Sequence, residues 1–240
     1  MSLEFAVGFD FDHTLGVDNK LEKMTALDML SELAKAQGVS YDPAAAEAGA
    51  DEMLHAFRSG AVPNIDGAVA GFFERFLELG AGLVDEAADF RTRVLERAPQ
   101  HITALPGVHE MLARLDAMGV RYAILTNGWS PLQEEKARLI EFREPVYVSE
   151  RIGARKPSPE AFGALAKYFE LPFERIWYVG DDPAIDCAGA QALGMRTVWF
   201  NWEGKTYPTG LAAPLHVIEQ LDELPGILQG QVKEAAKLGE

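Results

Sequence analysis

Short apolar runs recur along this chain, and the later ones are separated by helical patterns. The runs are Glu4–Phe9, Val120–Leu125, Pro145–Val148, Arg175–Val179, Met195–Phe200 and Leu215–Ile218. Helical periodicity marks Val108–Met118, Gln133–Ile140, Pro159–Phe169 and Ala184–Leu193. A strand that is apolar on both faces must be covered on both, and helices between such strands supply the cover. The pattern predicts an α/β fold with a Rossmann-like parallel sheet at its core. Local signals mark several helix ends. Ser158-Pro159 places a capping hydroxyl before a proline at the first helical position, and Gly119 and Gly194 stand where helices stop.

One stretch breaks the alternation. From about Asn19 to Ala98 the chain reads as consecutive helices with no good strand. Leu21, Met24, Leu27, Leu30 and Leu33 recur at three-residue steps along one expected face. Asp42-Pro43 opens a second helix that Gly60 closes. A third spans Asp66–Leu79, with Phe72, Phe73, Phe76 and Leu77 apolar, and a fourth Asp85–Arg97. The expectation is an all-α cap over 18–99, inserted into a core built from 1–17 and 100–240. Its connections are expected at Gly16–Asn19 and Pro99–Gly107, and Gln229–Glu240 reads as a final exposed helix.

Composition narrows the partners. Of 240 residues 48% are apolar, enough to bury a sizeable core, and the net charge of −15 repels nucleic acid and anionic membrane. A nucleic acid polymer is therefore not an expected partner, whereas a small phosphorylated molecule is, provided a local site reverses the field. Cys187 is the single cysteine, which excludes a disulfide framework and a thiolate metal cluster. No basic-then-apolar leader is visible, and the apolar stretches are far short of a membrane span. The expectation is a soluble cytoplasmic protein, monomeric or homodimeric.

Four acidic or polar stretches follow predicted strands, the edge at which open parallel sheets bind ligands. The first is "DFDHTL". Asp10 and Asp12, two residues apart on an extended chain, project to the same side. At about 5 Å and an effective dielectric near 20 their repulsion is about 3 kcal/mol, which a proton, a cation or a function must offset. "ILTNG" supplies Thr126 and Asn127, "ARKPSPEAF" supplies Lys156, and "WYVGDDPAID" supplies Asp181, Asp182 and Asp186. Asp10, Asp12, Asp181 and Asp186 gather oxygen ligands alone, the preference of a hard cation such as Mg²⁺ sharing its coordination with a phosphate. Thr126, with the amides after it, and Lys156 suit the phosphate oxygens.

These stretches, in this order and with a helical insertion after the first, resemble the haloacid dehalogenase-like superfamily, specifically its phosphatases with a helical cap. The resemblance covers the whole chain. It implies a Mg²⁺-dependent phosphomonoesterase in which Asp10 attacks phosphorus to form an aspartyl-phosphate and Asp12 acts as acid and then base. Thr126, Asn127 and Lys156 would bind the phosphoryl group. The metal would take the Asp10 side chain, the Asp12 carbonyl and Asp181, with Asp186 supporting. Related activities are a sugar-phosphate mutase, a 2-haloacid dehalogenase and a catalytically silent member that binds a phosphorylated ligand or a partner. Asp12 favours phosphate chemistry over dehalogenation, since a halide leaves without a proton. Phosphonate-cleaving relatives use a cap lysine, but Lys20 and Lys23 read as solvated charge.

Several single residues carry narrower expectations. "TNGWSPLQ" resembles the nucleotidase-like branch, which includes pyrimidine 5′-nucleotidases and acylneuraminate 9-phosphatases, although phosphoglycolate phosphatases share most of it. Trp129 is open to two readings, stacking on a substrate at the entrance or packing in its loop. His13 replaces the family's commonest glycine and reads as a turn residue whose amide faces phosphate. Asp182 reads as a loop acid, and Cys187 as an inert helix residue packed against the sheet. In the family the cap closes over the site and selects the substrate; candidate contacts are His55, Arg58, Phe72, Phe73 and Arg75.

Overall fold

The computed structural model describes residues 5–77 and 84–230, with the backbone alone at 84–87. Its main sheet has six strands, every neighbouring pair parallel. β1 (Ala6–Phe9) lies between β4 (Arg121–Thr126) and β6 (Ile176–Gly180). β5 (Val146–Val148) extends one side beyond β4, and β7 (Arg196–Phe200) and β8 (His216–Ile218) extend the other beyond β6. Each strand lies within one or two residues of its expected place. The chain runs outward through β4 and β5, then crosses back over β1 to build β6, β7 and β8. The direction of winding thus reverses at β1, and the crevice such a reversal leaves lies at the C-terminal ends of β1, β4 and β6.

Side-chain alternation explains how β1 is buried. Ala6, Val7 and Phe9 are fully inaccessible. One face of the sheet, with Ala6, Ala123, Leu125, Ile176 and Tyr178, packs on Phe162, Leu165 and Phe169 of a helix at Pro159–Phe169. Gly8 belongs to this face, and a Cβ there would run into Leu165 Cδ1 and lie 2.9 Å from Tyr178 Cδ2, so glycine is what lets helix and strand close. The helix at Val108–Met118 follows the expected bounds and ends on Gly119 in the left-handed region. Ser158 does not cap Pro159–Phe169 with its hydroxyl. Its carbonyl takes the Ala161 N–H, while its Oγ is buried without a partner. The expected helix Ala184–Leu193 is instead a widened π-helical turn, Pro183–Ala188, followed by a short α-helical piece, Gly189–Gln191.

Two compact units divide the chain. The sheet unit takes residues up to Val17, Thr103–Asn127 and Ile140 onward; the helical unit takes Asp18–Ile102 and Gly128–Leu139. In the sheet unit, the expected loop connections are replaced by a small antiparallel pair, β2 (Gly16–Val17) with β3 (Thr103–Ala104), continued by the Leu105 N–H donating to Leu15 O at 2.9 Å.

The helical unit comprises α1 (Leu21–Gln37), α2 (Pro43–Ser59), α3 (Ile65–Phe76), α4 (Val84–His101) and the segment Leu132–Leu139. Asp42 caps α2 by accepting from the Ala44 N–H at 3.0 Å, and Gly60 closes it at φ 82°. Asn64 caps α3 through the Gly67 N–H at 2.8 Å. Helix α4 runs on through Pro99 to His101, beyond its expected end at Arg97. The buried face of α1 is Leu21, Glu22, Thr25, Ala26, Met29, Leu30 and Ala34, not the three-residue stripe, and Met24 is exposed. Phe72 and Phe73 are core residues, and Trp129 and Leu132 join them there. The expected end of the third helix at Leu79 and most of the expected helix at 229–240 lie outside the described residues.

Candidate active site

Asp10 is the first residue past β1, tied to the neighbouring strand by its N–H donating to Val179 O at 2.9 Å. Thr126 is the last residue of β4, and Gly180 the last of β6. Three adjacent strands therefore deliver Asp10, Thr126-Asn127 and Asp181 to one edge. The sheet register makes this so: Phe9 is level with Ile124 on one side and Val179 on the other.

Lys156 reaches the same place from the loop before the helix at Pro159–Phe169. Its Nζ donates to Asp10 Oδ1 and to Asp186 Oδ1, each at 2.7 Å, and all three residues are buried. The loop is held by a reciprocal pair: Asn127 Nδ2 donates to Lys156 O, and the Lys156 N–H donates to Asn127 Oδ1, both at 2.9 Å. Asn127 thus fixes Lys156. Tyr178, unremarked in the sequence, lies beneath the ammonium with its ring centroid 5.3 Å away and donates its hydroxyl to Leu125 O at 2.8 Å. Burial disfavours the ammonium, but Asp10 and Asp186 outweigh it and hold Lys156 well above its usual range.

Asp181 and Asp186 complete an acidic group. One oxygen from each of Asp10, Asp181 and Asp186 lies within 4.8 Å of the others. Asp186 sits on the π-helical turn and accepts from the Asp182 N–H at 3.1 Å. A Cβ at Gly180 would collide with the Asp186 carboxylate, so the glycine in "VGDD" is what leaves this carboxylate its place. Burial raises Asp10 to about 7, against the opposing pull of Lys156 and with help from Asp186 and Asp12. Burial, then Asp10 and Asp186, raises Asp181 to about 8. Burial also raises Asp186, opposed by Lys156. Buried Asp10 and Asp186 share one ammonium with half-buried Asp181 beside them, so the group is short of positive charge, and its all-oxygen donor set fits a hard divalent cation.

The remaining expectations sort clearly. Asp12 is partly exposed and is not one of the three clustered acids. His13 adopts φ 61°, as a turn residue, but its N–H donates to Gly16 O at 2.8 Å and is spent within the turn rather than turned to phosphate. Asp182 is a capping acid, accepting from the Ala184 and Ile185 N–H groups at 2.8 Å. Cys187 is buried on the π-helical turn, its thiol pushed up by burial and the nearby acids.

Within the helical unit, Trp129 is inaccessible and donates Nε1–H to Glu22 Oε1 at 2.7 Å, so it packs in its loop and no face is left for a substrate. Arg58 pairs with Glu22 at 3.0 Å, Arg75 with Glu52, and Lys23 with Asp51 at 2.8 Å, while His55 is exposed. Lys136, buried against Asp18 at 2.9 Å, had no signal in the sequence beyond its place on a helix. No described helix is long and apolar enough to cross a membrane.

Residues 6–194 match the family model of the haloacid dehalogenase-like hydrolases. The glyceraldehyde 3-phosphate phosphatase of Pyrococcus abyssi is 31% identical over 132 residues, covering 54% of this chain and 55% of that protein. The chain thus spans about half the length of such curated relatives. The ribulose-1,5-bisphosphate 5-phosphatase of Halopiger xanaduensis is 29% identical over 209 residues, 82% of this chain and 84% of that one. Among solved structures, the HAD-hydrolase YfnB of Bacillus subtilis superposes with a TM-score of 0.69 at 24% identity, over 93% of this chain and 98% of that one.

Proposed function

The chain belongs to the haloacid dehalogenase-like hydrolase family, and on that premise we propose that it is a Mg²⁺-dependent phosphatase of small phosphorylated metabolites. The observation that carries the reading is the buried constellation in which Lys156 bridges Asp10 and Asp186 beside Asp181. Relatives named as phosphatases of glyceraldehyde 3-phosphate and ribulose bisphosphate support the reaction class.

In this reading the Asp10 carboxylate attacks phosphorus, an Asp10–phosphorus bond forms, and the bond from phosphorus to the ester oxygen breaks. Asp12, outside the clustered acids, gives its proton to the departing oxygen and then, as carboxylate, takes one from water. The water oxygen attacks phosphorus, the bond to Asp10 breaks, and phosphate leaves. Lys156, Thr126 and Asn127 hold and orient the phosphoryl group. Asp10, Asp181, Asp186 and the carbonyl of Asp12 are the residues that would hold Mg²⁺. The ion, when bound, supplies positive charge for the phosphoryl oxygens. Hydrolysis of an aryl phosphate with Mg²⁺ tests the reading: EDTA and Asp10→Asn should each abolish it, and undiminished turnover in either case rejects it.

A further inference from the structure

Next to the acids, a loop after β7 builds a second feature of the sheet unit. Asn201 is anchored to the sheet by its N–H donating to Ile218 O at 2.8 Å. It closes the loop on itself: its Nδ2 donates to Lys205 O at 2.9 Å, and its Oδ1 accepts from the Lys205 N–H at 2.8 Å. Two contacts bring this loop to the acids. Lys205 Nζ lies 4.0 Å from Asp181 Oδ2, and Trp199, just before the loop, donates Nε1–H to Asp181 O at 2.8 Å. At the loop's tip Trp202 is 39% exposed and stacks on His13, with ring centroids 6.3 Å apart and planes 21° from parallel.

His13 directly follows Asp12, and it holds φ 61°, a backbone that glycine adopts without strain and histidine does not. An imidazole is thus kept at the one position of the motif where the backbone favours having no side chain, and its partner is an exposed indole. Lys205 also pairs with Glu203, which offsets the acid next to Trp202. The rim beside Asp12 therefore carries an exposed aromatic face of two near-parallel rings in a protein whose net charge is −15. Such a face stacks on planar π systems irrespective of their hydrogen-bonding edges.

We propose that His13 and Trp202 form a stacking subsite for the leaving group, selecting phosphomonoesters that carry a planar base, namely nucleoside monophosphates. The inference rests on the phosphatase reading, since it assigns the part of the substrate beyond the scissile bond. The role that Trp129 is too buried to play falls to Trp202.

Adenosine 5′-monophosphate and ribose 5-phosphate form the decisive pair, sharing the ester and the sugar and differing in the base. With Mg²⁺, kcat/KM should favour the nucleotide by about tenfold or more, and Trp202→Ala should bring the ratio to near one. His13→Gly, which relieves the backbone, should lower the ratio in the same direction and serves where Trp202→Ala folds poorly. A wild-type ratio near one, or a ratio unchanged in both variants, overturns the proposal. Titration of both ligands into Asp10→Asn gives a readout free of turnover. There the nucleotide should bind more tightly than ribose 5-phosphate, an advantage that the additional Trp202→Ala change removes. Equal binding of the two overturns the stacking subsite. Absence of turnover on either ester and on an aryl phosphate, with this binding preference intact, overturns the phosphatase reading alone.

Discussion

At Lys156 one ammonium serves two carboxylates that burial would otherwise drive to hold protons. Removing one partner of a buried pair leaves the other charge uncompensated, a loss of about 3–5 kcal/mol. Lys156→Met should therefore lower stability by about 3 kcal/mol at neutral pH in urea denaturation, and by less near pH 5, where Asp10, raised to about 7, is protonated. An equal loss at both pH values would contradict the pairing of Lys156 with ionised acids. The acids themselves set a pH dependence for the metal-free protein. Asp10 and Asp181 are raised from 3.8 to about 7 and about 8, so between those limits the folded state binds more protons than the unfolded state. Their contribution is best below 3.8 and declines as pH rises to about 8. In EDTA, Asp181→Asn should lose less stability than the wild type between about pH 5 and pH 8. A steeper decline in the variant would contradict this sign.

Elements differ in how plainly the sequence announced them. Strands apolar on both faces were legible to within a residue or two, because nothing but a covered sheet accommodates runs such as "AVGF" and "IWYVG". The α1 stripe misled because a three-residue step falls about 60° short of a full turn. Leu21 and Leu30 are buried, whereas Met24 has rotated into solvent. The pair β2–β3 has two residues in each strand, too few for a period, and the π-helical turn depends on Asp182 accepting two successive amides. Ser158 had the right residue type for a cap, but the backbone carbonyl took that place. Gly8 is where element packing is least tolerant. Gly8→Ala should destabilise by about 1–3 kcal/mol through overpacking against Leu165 and Tyr178, read as a lowered Tm. An unchanged Tm would mean that the helix at Pro159–Phe169 adjusts freely.

For the molecule as a whole, sequence order was a better guide to the site than to its surroundings. Asp10, Thr126-Asn127 and Asp181 come from three separate stretches that strand order brings to one edge, where the loop of Lys156 and the π-helical turn of Asp186 join them. The Trp202–His13 contact stayed hidden because it depends on the path of a loop. Net charge also acts at this scale. With −15 overall, an anionic substrate approaches against the field, so raising ionic strength from about 0.02 to about 0.2 M should lower KM. A KM that rises steeply with salt would show that local positive charge dominates the approach.

The proposed hydrolysis turns on covalent phosphorylation of Asp10. Enzyme quenched during turnover of an aryl phosphate and treated with borohydride should carry homoserine at position 10, because hydride reduces the acyl phosphate but not a free carboxylate. Peptide mass spectrometry reads the change directly. Homoserine at position 10, absent when substrate is omitted, is the predicted result. Full turnover with Asp10 intact, or reduction at a different aspartate, would contradict the account.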